Sequence, residues 1–434
     1  MRWRVSDPRV WQAIAVAIVW AAAAARAAEQ PSRYLYIWMG DKAEKSSDFL
    51  AVMDVDPASR SYGQFVASEP VGFTGSMPHH LQYELPPKGE FMFANGHHLE
   101  KVLLFDFKQA KHPRLVRELP RVPPYRYPHD IVRLSDGHVL VGYLRSDGPS
   151  PSGSGDTLPA NHGGIAEFDA QGRLLRSASA DDGATKVPIR PYTFALLPKL
   201  DRMVTTSARM MERESADVVQ VWRFSDFKLL HTLSMPPARL PSGKEMVTKG
   251  GEHGELIPTG HMIPFEPRVM PDGSVLLNAY GCGFYRVTEL ASAAPKITNV
   301  YTIEVPVDVR IGGCGVPAIV GRFWIMPVGE AHVVVTLDVS NPARPVEVSR
   351  LPAPGNFVPH WLSKDPGANR LILGQEMGHE DRMLMMRIDS RTGALSWDQS
   401  IRSPDGSLGI NFNRTTWPHG ATGPATGHSA LFHP

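Results

Sequence analysis

Four histidines in this chain directly follow a proline at the head of a short apolar run: Pro78-His79, Pro128-His129, Pro359-His360 and Pro418-His419. His80 doubles the first of them. Neutral imidazole is a ligand for copper, zinc, iron and nickel. A set of three or four histidines with no thiolate or carboxylate leans to copper or iron. Taken singly, each of these histidines is equally an ordinary loop residue. Together they form a metal site only if the fold makes their positions equivalent. Adjacent residues of a strand face opposite ways, so His79 and His80 share a face only where the strand starts irregularly. His80 is therefore the weakest member of the set, a fifth ligand or a neighbour that orients one.

The elements that must place these residues are β-strands. Runs such as "KVLLFDF", "HVLVGYL", "VVQVWRF", "SVLLNAY" and "HVVVTLDV" are rich in β-branched and aromatic residues and are separated by Asn-Gly and Asp-Gly turns. Seven units share one pattern of proline, extended run, turn and second extended run. Their prolines are Pro78, Pro128, Pro191, Pro264, Pro317, Pro359 and Pro418, spaced 50, 63, 73, 53, 42 and 59 residues apart. A proline suits the first residue of a strand, where its missing N–H is tolerated. About four strands per unit is the content of a propeller blade. The last unit ends after one strand pair, and "RYLYIWMG", "FLAVMDVDP" and "YGQFVAS" precede the first. The expected fold is all-β, a seven-bladed β-propeller closed by N- and C-terminal strands in one blade, which leaves no open edge. Six or eight blades is the alternative. The residues after the prolines are then His79, His129, Tyr192, Phe265, Ala318, His360 and His419. If these head the innermost strands, four consecutive blades bring imidazoles to the axis. The other three present an apolar arc, a shape suited to a small-molecule pocket.

Other features bound the function. The 45 basic and 44 acidic residues leave a net charge of +1, with no basic footprint for nucleic acid. Residues 1–27 combine early arginines, a short apolar run and a small-residue site at Ala25-Arg26-Ala27. They read as a secretory signal peptide, with an uncleaved anchor as the alternative. The propeller domain then spans 28–434, exported to the periplasm and free of the membrane after cleavage. The two cysteines, Cys282 and Cys314, are free to pair in such a compartment, but the sequence does not establish that they do. His97 and His98 follow Asn95-Gly96, a hairpin-turn dipeptide, and are expected at the surface. His379 lacks the second histidine of a zinc-protease helix. Glu266, beside Phe265, is either a general base or ligand orienter or a strand-end carboxylate in a salt bridge. No P-loop, dinucleotide fingerprint or nucleophile elbow is present.

The chain resembles the selenium-binding proteins, also described as methanethiol oxidases. The resemblance is carried by "DFLAVMDVDPASRSYGQFV" followed by "PHHLQYE", then "YPHDIVRLSDGHVLVGYL", "GGIAEFDAQGRLL", "VVQVWRFSDFKLLHTLSM", "IPFEPRVMPDG" and "LDVSNPARP". It implies a β-propeller and, for exported bacterial members, a copper-dependent oxidase that turns methanethiol and O2 into formaldehyde, hydrogen sulfide and hydrogen peroxide. The family's histidines match His79, His80 and His129 by motif and His419 less closely. Its I-P-x-E-x-R glutamate matches Glu266. The family's cysteine-rich stretch after the histidine pair is missing, no cysteine precedes Cys282, and His360 stands where many members have another residue.

The expectation is a periplasmic copper oxidoreductase acting on a small thiol with O2, with iron and zinc as alternative metals. His79, His80, His129, His360 and His419 hold the metal, and Glu266 and His80 serve catalysis. The rival expectation is a non-catalytic propeller whose metal ties blades together while its rim binds partners. A lactonase or hydrolase is a third, but such propellers use oxygen ligands for Ca²⁺, which the ring positions lack.

Overall fold

The computed structural model describes residues 29–83, 85, 90–147, 161–210, 214–250, 254–376, 381–421 and 423–433. Residues 1–27 and His379 lie outside them. Among the described residues, six four-stranded antiparallel sheets and a seventh that carries one extra short strand, Ile410–Asn411, form a seven-bladed β-propeller. The innermost strands of blades 1 to 6 are Pro78–Leu81, Tyr125–Arg133, Pro191–Leu197, Pro264–Val269, Ala318–Val320 and Pro359–Lys364. Blade 7 combines Phe65–Pro70, Phe49–Asp54 and Tyr34–Asp41 from the N-terminal side with Ala425–Phe432 as its inner strand. Closure is therefore three strands plus one. The sequence pattern predicts a strand pair at the C-terminal side; "WPHG" is instead a turn, with Gly420 N–H donating to Trp417 O at 2.9 Å. The long spacing before Pro264 holds a two-stranded insertion, Val247–Gly250 and Glu255–Pro258.

Burial explains the strand composition. Second strands are covered on both faces by neighbouring blades, so "FWIMPV" (Phe323–Val328) and "RLILGQ" (Arg370–Gln375) are buried at every position. Outer strands such as Val346–Pro352 alternate exposed and half-buried residues, the period of a strand with one wet face.

Two further ties hold the ring. Cys282 and Cys314 form a disulfide, Cα–Cα 5.1 Å, between blade 4 and the segment entering blade 5. Replacing both by serine should cost about 2–4 kcal/mol in denaturant unfolding; an unchanged midpoint would show the bond to be dispensable. The second tie joins blade 6 to the start of blade 7. Arg370, 1% exposed, donates from Nε to Asp365 Oδ2 (2.6 Å), from Nη1 to Val55 O (2.6 Å) and from Nη2 to Ser32 O (2.8 Å). Ser32 in turn donates its hydroxyl to Asp365 Oδ1 at 2.8 Å.

Candidate metal centre

The inner strands do not run as regular ladders. In blade 1, Pro78 pairs with Gly96 and Leu81 with Ala94, so three steps on the inner strand match two on its neighbour. The same extra residue interrupts blade 2 between Pro128 and Ile131, blade 3 between Pro191 and Phe194, and blade 4 between Pro264 and Pro267. Blade 6 shifts between Pro359 and Trp361, and blade 7 opposite Ile37 and Met39. A β-bulge of this kind re-aims side chains. Both members of each dipeptide can then approach the axis, which resolves the orientation of His79 and His80. Both are buried, with ring centroids 4.4 Å apart. In three blades the residue before the proline is left-handed without being glycine: Met77 (φ 54°), Tyr127 (φ 58°) and Ile263 (φ 60°). Such a backbone costs about 1–3 kcal/mol per residue and is typical of functional sites.

The first residues of these bulges make a ring of rings. Consecutive centroid distances are 4.2 Å for His428 to His79, 5.2 Å for His79 to His129 and 4.0 Å for His129 to Tyr192. The circuit continues with Tyr192 to Phe265 at 4.3 Å, Phe265 to His360 at 6.3 Å and His360 to His428 at 4.9 Å. Blade 5 adds Val316, in one apolar cluster with Tyr192, Phe265 and Trp361. The apolar arc exists as expected, but Ala318 is not part of it; it packs in the cluster between blades 5 and 6. Second bulge residues lie beyond the first. His80 sits 4.2 Å from His129 and 4.9 Å from Trp361 between centroids.

His79, His80 and His129 offer ring nitrogens that all lie within 4.8 Å of one another, the one such group of three among the described residues. Both nitrogens of His79, His80 and His428, and Nε2 of His129, are buried without a hydrogen-bond partner. His129 Nδ1 lies 3.2 Å from Tyr192 O. Donation of Nδ1–H there leaves Nε2 with its lone pair towards the other histidines. Burying an unpartnered polar group costs about 1–3 kcal/mol, and His79, His80 and His129 each bring one nitrogen to a common point with no protein partner for it. A neutral imidazole has one lone pair, and a cation that accepts one from each of the three accounts for those nitrogens, so these residues fit a bound metal.

His419 is not part of this group. Its Nδ1 is 2.6 Å from Ser68 Oγ, and its ring packs 4.7 Å from Phe49 within blade 7. The Pro418-His419 pair sits on the turn before the seventh inner strand, and the residue brought to the axis is His428. His97, expected at the surface, is 1% exposed and lies 5.7 Å from His79 between centroids; His98 is exposed. Asn95-Gly96 closes a strand, and the turn comes after it. His360 stays at the axis with Nδ1 2.5 Å from Glu376 Oε2, a charge contact. Glu376 carries no signal in the sequence.

Electrostatics keep the imidazoles of His79, His80, His97, His129 and His428 neutral. Burial, then repulsion from other imidazoles of the group, holds His79, His80 and His129 well below the ordinary histidine range. Burial chiefly takes His428 down to about 3 and His97 to about 4. Burial would raise the Glu376 carboxyl; the His360 contact, together with His428 and the Tyr280 hydroxyl, outweighs it and holds it at about 2. Metals bind deprotonated ligands, so protons do not compete at neutral pH. The sign for stability follows. Unfolding releases these histidines to an ordinary pKa near 6.5, so the unfolded chain takes up protons below that pH. Metal-free protein should then lose stability as pH falls from about 6.5 towards 4, by up to about 1.4 kcal/mol per pH unit for each such histidine. Flat unfolding midpoints across that window would show the imidazoles to be charged in the fold.

Glu266, fully buried, lies in a polar network beside His80. Tyr83 Oη donates to its Oε1 and Arg268 Nη1 to its Oε2, both at 2.9 Å. Burial raises its pKa against the opposing Arg268 charge. Asp130, bonded to the Thr193 hydroxyl, is pushed to about 7 by burial and then by the Glu266 charge. Of the two sequence readings of Glu266, the geometry shows the ion pair, made with Arg268.

Asn95 sets the spacing of the ligands. Its Oδ1 accepts the His80 N–H (2.7 Å) and its Nδ2 donates to His129 O (2.7 Å), tying blade 1 to blade 2. Where blades 2 and 6 have Gly142 and Gly374 at the same strand position, a Cβ would stand 2.8 Å from Pro191 O and 2.6 Å from His428 O. The next bulge is therefore pressed against that position all round the ring. Asn95→Ala should weaken metal affinity about 10–100-fold, the usual loss when a group that orients a ligand is removed. Calorimetric titration checks this, and an unchanged affinity would free Asn95 from the role.

The fold and site together define a seven-bladed propeller with a polyhistidine axis. No family model matches the chain, and no curated protein matches it. Among solved structures it is similar to a hypothetical selenium-binding protein from Sulfolobus tokodaii, with TM-score 0.69 and 15% identity over 93% of this chain and 94% of that one. It is also similar to the periplasmic gluconolactonase of Pseudomonas aeruginosa, with TM-score 0.60 and 14% identity over 92% and 99%. A third likeness is to a putative 6-phosphogluconolactonase from Bacteroides uniformis, with TM-score 0.59 and 11% identity over 93% and 100%. At these identities the likeness establishes the propeller fold. Among the described residues no helix is long and apolar enough to cross a membrane.

Proposed function

We propose that this protein is a copper-dependent oxidase of small thiols. The observation that carries the reading is the set of buried, unpartnered imidazole nitrogens converging on one point. His79, His80 and His129 would hold the metal, with His428 as the fourth imidazole beside them. Copper suits an all-imidazole set; iron and zinc are the other metals such a set takes. When bound, copper would supply the redox step that couples a thiol to O2.

This chain's own residues do the rest. Tyr192, Phe265 and Trp361 share one apolar cluster beside the histidines and would face the alkyl group of the thiol. Glu266 would take the thiol proton at Oε1, which it shares with Tyr83 Oη. Arg268 keeps that carboxylate in place. With methanethiol the atoms balance when the thiol, dioxygen and water, one molecule of each, give one molecule each of formaldehyde, hydrogen sulfide and hydrogen peroxide. The leader-like residues 1–27 and the Cys282–Cys314 disulfide support a periplasmic setting.

The test is elemental analysis of the exported protein, followed by oxygen uptake with methanethiol. Stoichiometric copper and thiol-dependent O2 consumption support the reading. Bound metal with no uptake of O2 leaves a metal that only ties blades together.

A further inference from the structure

The axis opens at the His428 end into a cavity of about 260 Å³, lined by Asp41, Glu44, Asp48, Glu376 and Asp381. Among the described residues no lysine or arginine lines it, although Lys42 reaches Asp381 from outside at 2.5 Å. Two further observations point to a ligand. Asp48 is 1% exposed, and its Oδ1 has no hydrogen-bond partner, whereas Oδ2 accepts the Ser76 N–H at 2.8 Å. His428, 2% exposed, lines the same cavity with both ring nitrogens unpartnered. Glu376 belongs to both places: it lines the cavity and touches His360. Carboxylates lead inward to imidazoles with no cationic side chain on the lining. Among the described residues no three of these carboxylates gather within 4.8 Å, so the cavity is shaped for passage rather than for a resident ion.

We propose that this acidic cavity is the port through which the metal cation reaches the histidines. The proposal rests on the metal-centre reading above. A cleft lined by one sign of charge concentrates counter-ions and speeds their association by about 10–10³-fold. The free Asp48 oxygen and the Glu376 carboxylate are transient oxygen ligands. His428 and His360 take the ion from them and pass it to His79, His80 and His129. Each transfer exchanges one ligand for another, and no electron moves.

The experiment is stopped-flow uptake of Cu²⁺ by metal-free protein, compared with a Glu44→Gln/Asp48→Asn/Asp381→Asn variant. Asparagine at position 48 keeps the acceptor for Ser76. Wild type should load one copper per chain, at a rate that falls about tenfold or more between about 20 mM and about 300 mM salt. The variant should reach the same stoichiometry at least about tenfold more slowly at low salt, with little salt dependence. Equal rates in the two proteins overturn the port and leave the metal centre standing. Failure of wild type to bind copper at all overturns the metal centre, and the port with it. Should the variant not fold, the wild-type salt dependence decides alone: a rate indifferent to salt overturns the port.

Discussion

His80→Ala and His129→Ala should each lower copper affinity more than a hundredfold, while His419→Ala should leave it unchanged. Metal sites of this kind bind with about 10–16 kcal/mol. Shared among three or four ligands, that is roughly 3–4 kcal/mol each, more than two decades in affinity. The comparison of His129 with His419 separates the axis from the repeat pattern, because each follows its proline in the same way. It also separates ligation from folding. The His80 nitrogens are unpartnered in the metal-free fold, so their removal leaves no broken hydrogen bond behind, whereas His129→Ala also loses the Nδ1 contact to Tyr192 O. Metal-free stability should therefore be better retained in the His80 variant than in the His129 variant. What disappears is the rise in melting temperature on adding copper, the mass-action signature of a ligand that binds only the folded state. Competition titration and thermal melts read both effects. Wild-type affinity in the His80 and His129 variants would remove these residues from the centre.

Breaking the Asp365–Arg370 tie is the largest stability change expected. Asp365 and Arg370 are 0% and 1% exposed, and each makes further bonds to the first residues of blade 7. Removing one partner strands the other charge without water. Asp365→Ala or Arg370→Ala should cost about 3–5 kcal/mol, against about 0–1 kcal/mol for an exposed pair such as Arg322–Asp338. Replacing both by apolar residues of similar volume should recover much of the loss. Chemical denaturation of the three variants tests this. A single-variant loss below about 1 kcal/mol would mean that the ring closes without the tie.

Much of this architecture is legible in the residue pattern. Pro78, Pro191, Pro264 and Pro359 head inner strands, Pro317 immediately precedes one, and Pro128 sits inside one. The same rule fails at Pro418 for a physical reason. Blade 7 is closed by a single strand, so its inner strand follows the last turn and begins at Ala425, right after Pro424, with His428 four residues beyond that proline instead of next to it. Counting strands back from the apolar "SALF" places His428, whereas matching Pro-His selects the turn. Strand alternation undervalues His80 because it is a rule for regular ladders, and an inserted residue leaves no mark in composition. The turn dipeptide misplaces His97 because Asn-Gly ends a strand there instead of making the turn. Glu376 meets His360, and Asp48 lines the cavity beside His428, only through tertiary approach, and nothing local to either residue announces it.

Ring closure and metal capture share one segment. Ala425–Phe432 supplies both the last backbone ladder of blade 7 and the imidazole of His428. A polypeptide halted before Ala425 lacks both, so it offers an incomplete coordination sphere at the very stage when its apolar blade edges are bare. On the proposed reading, the fourth imidazole could join His79, His80 and His129 only once that strand is in place.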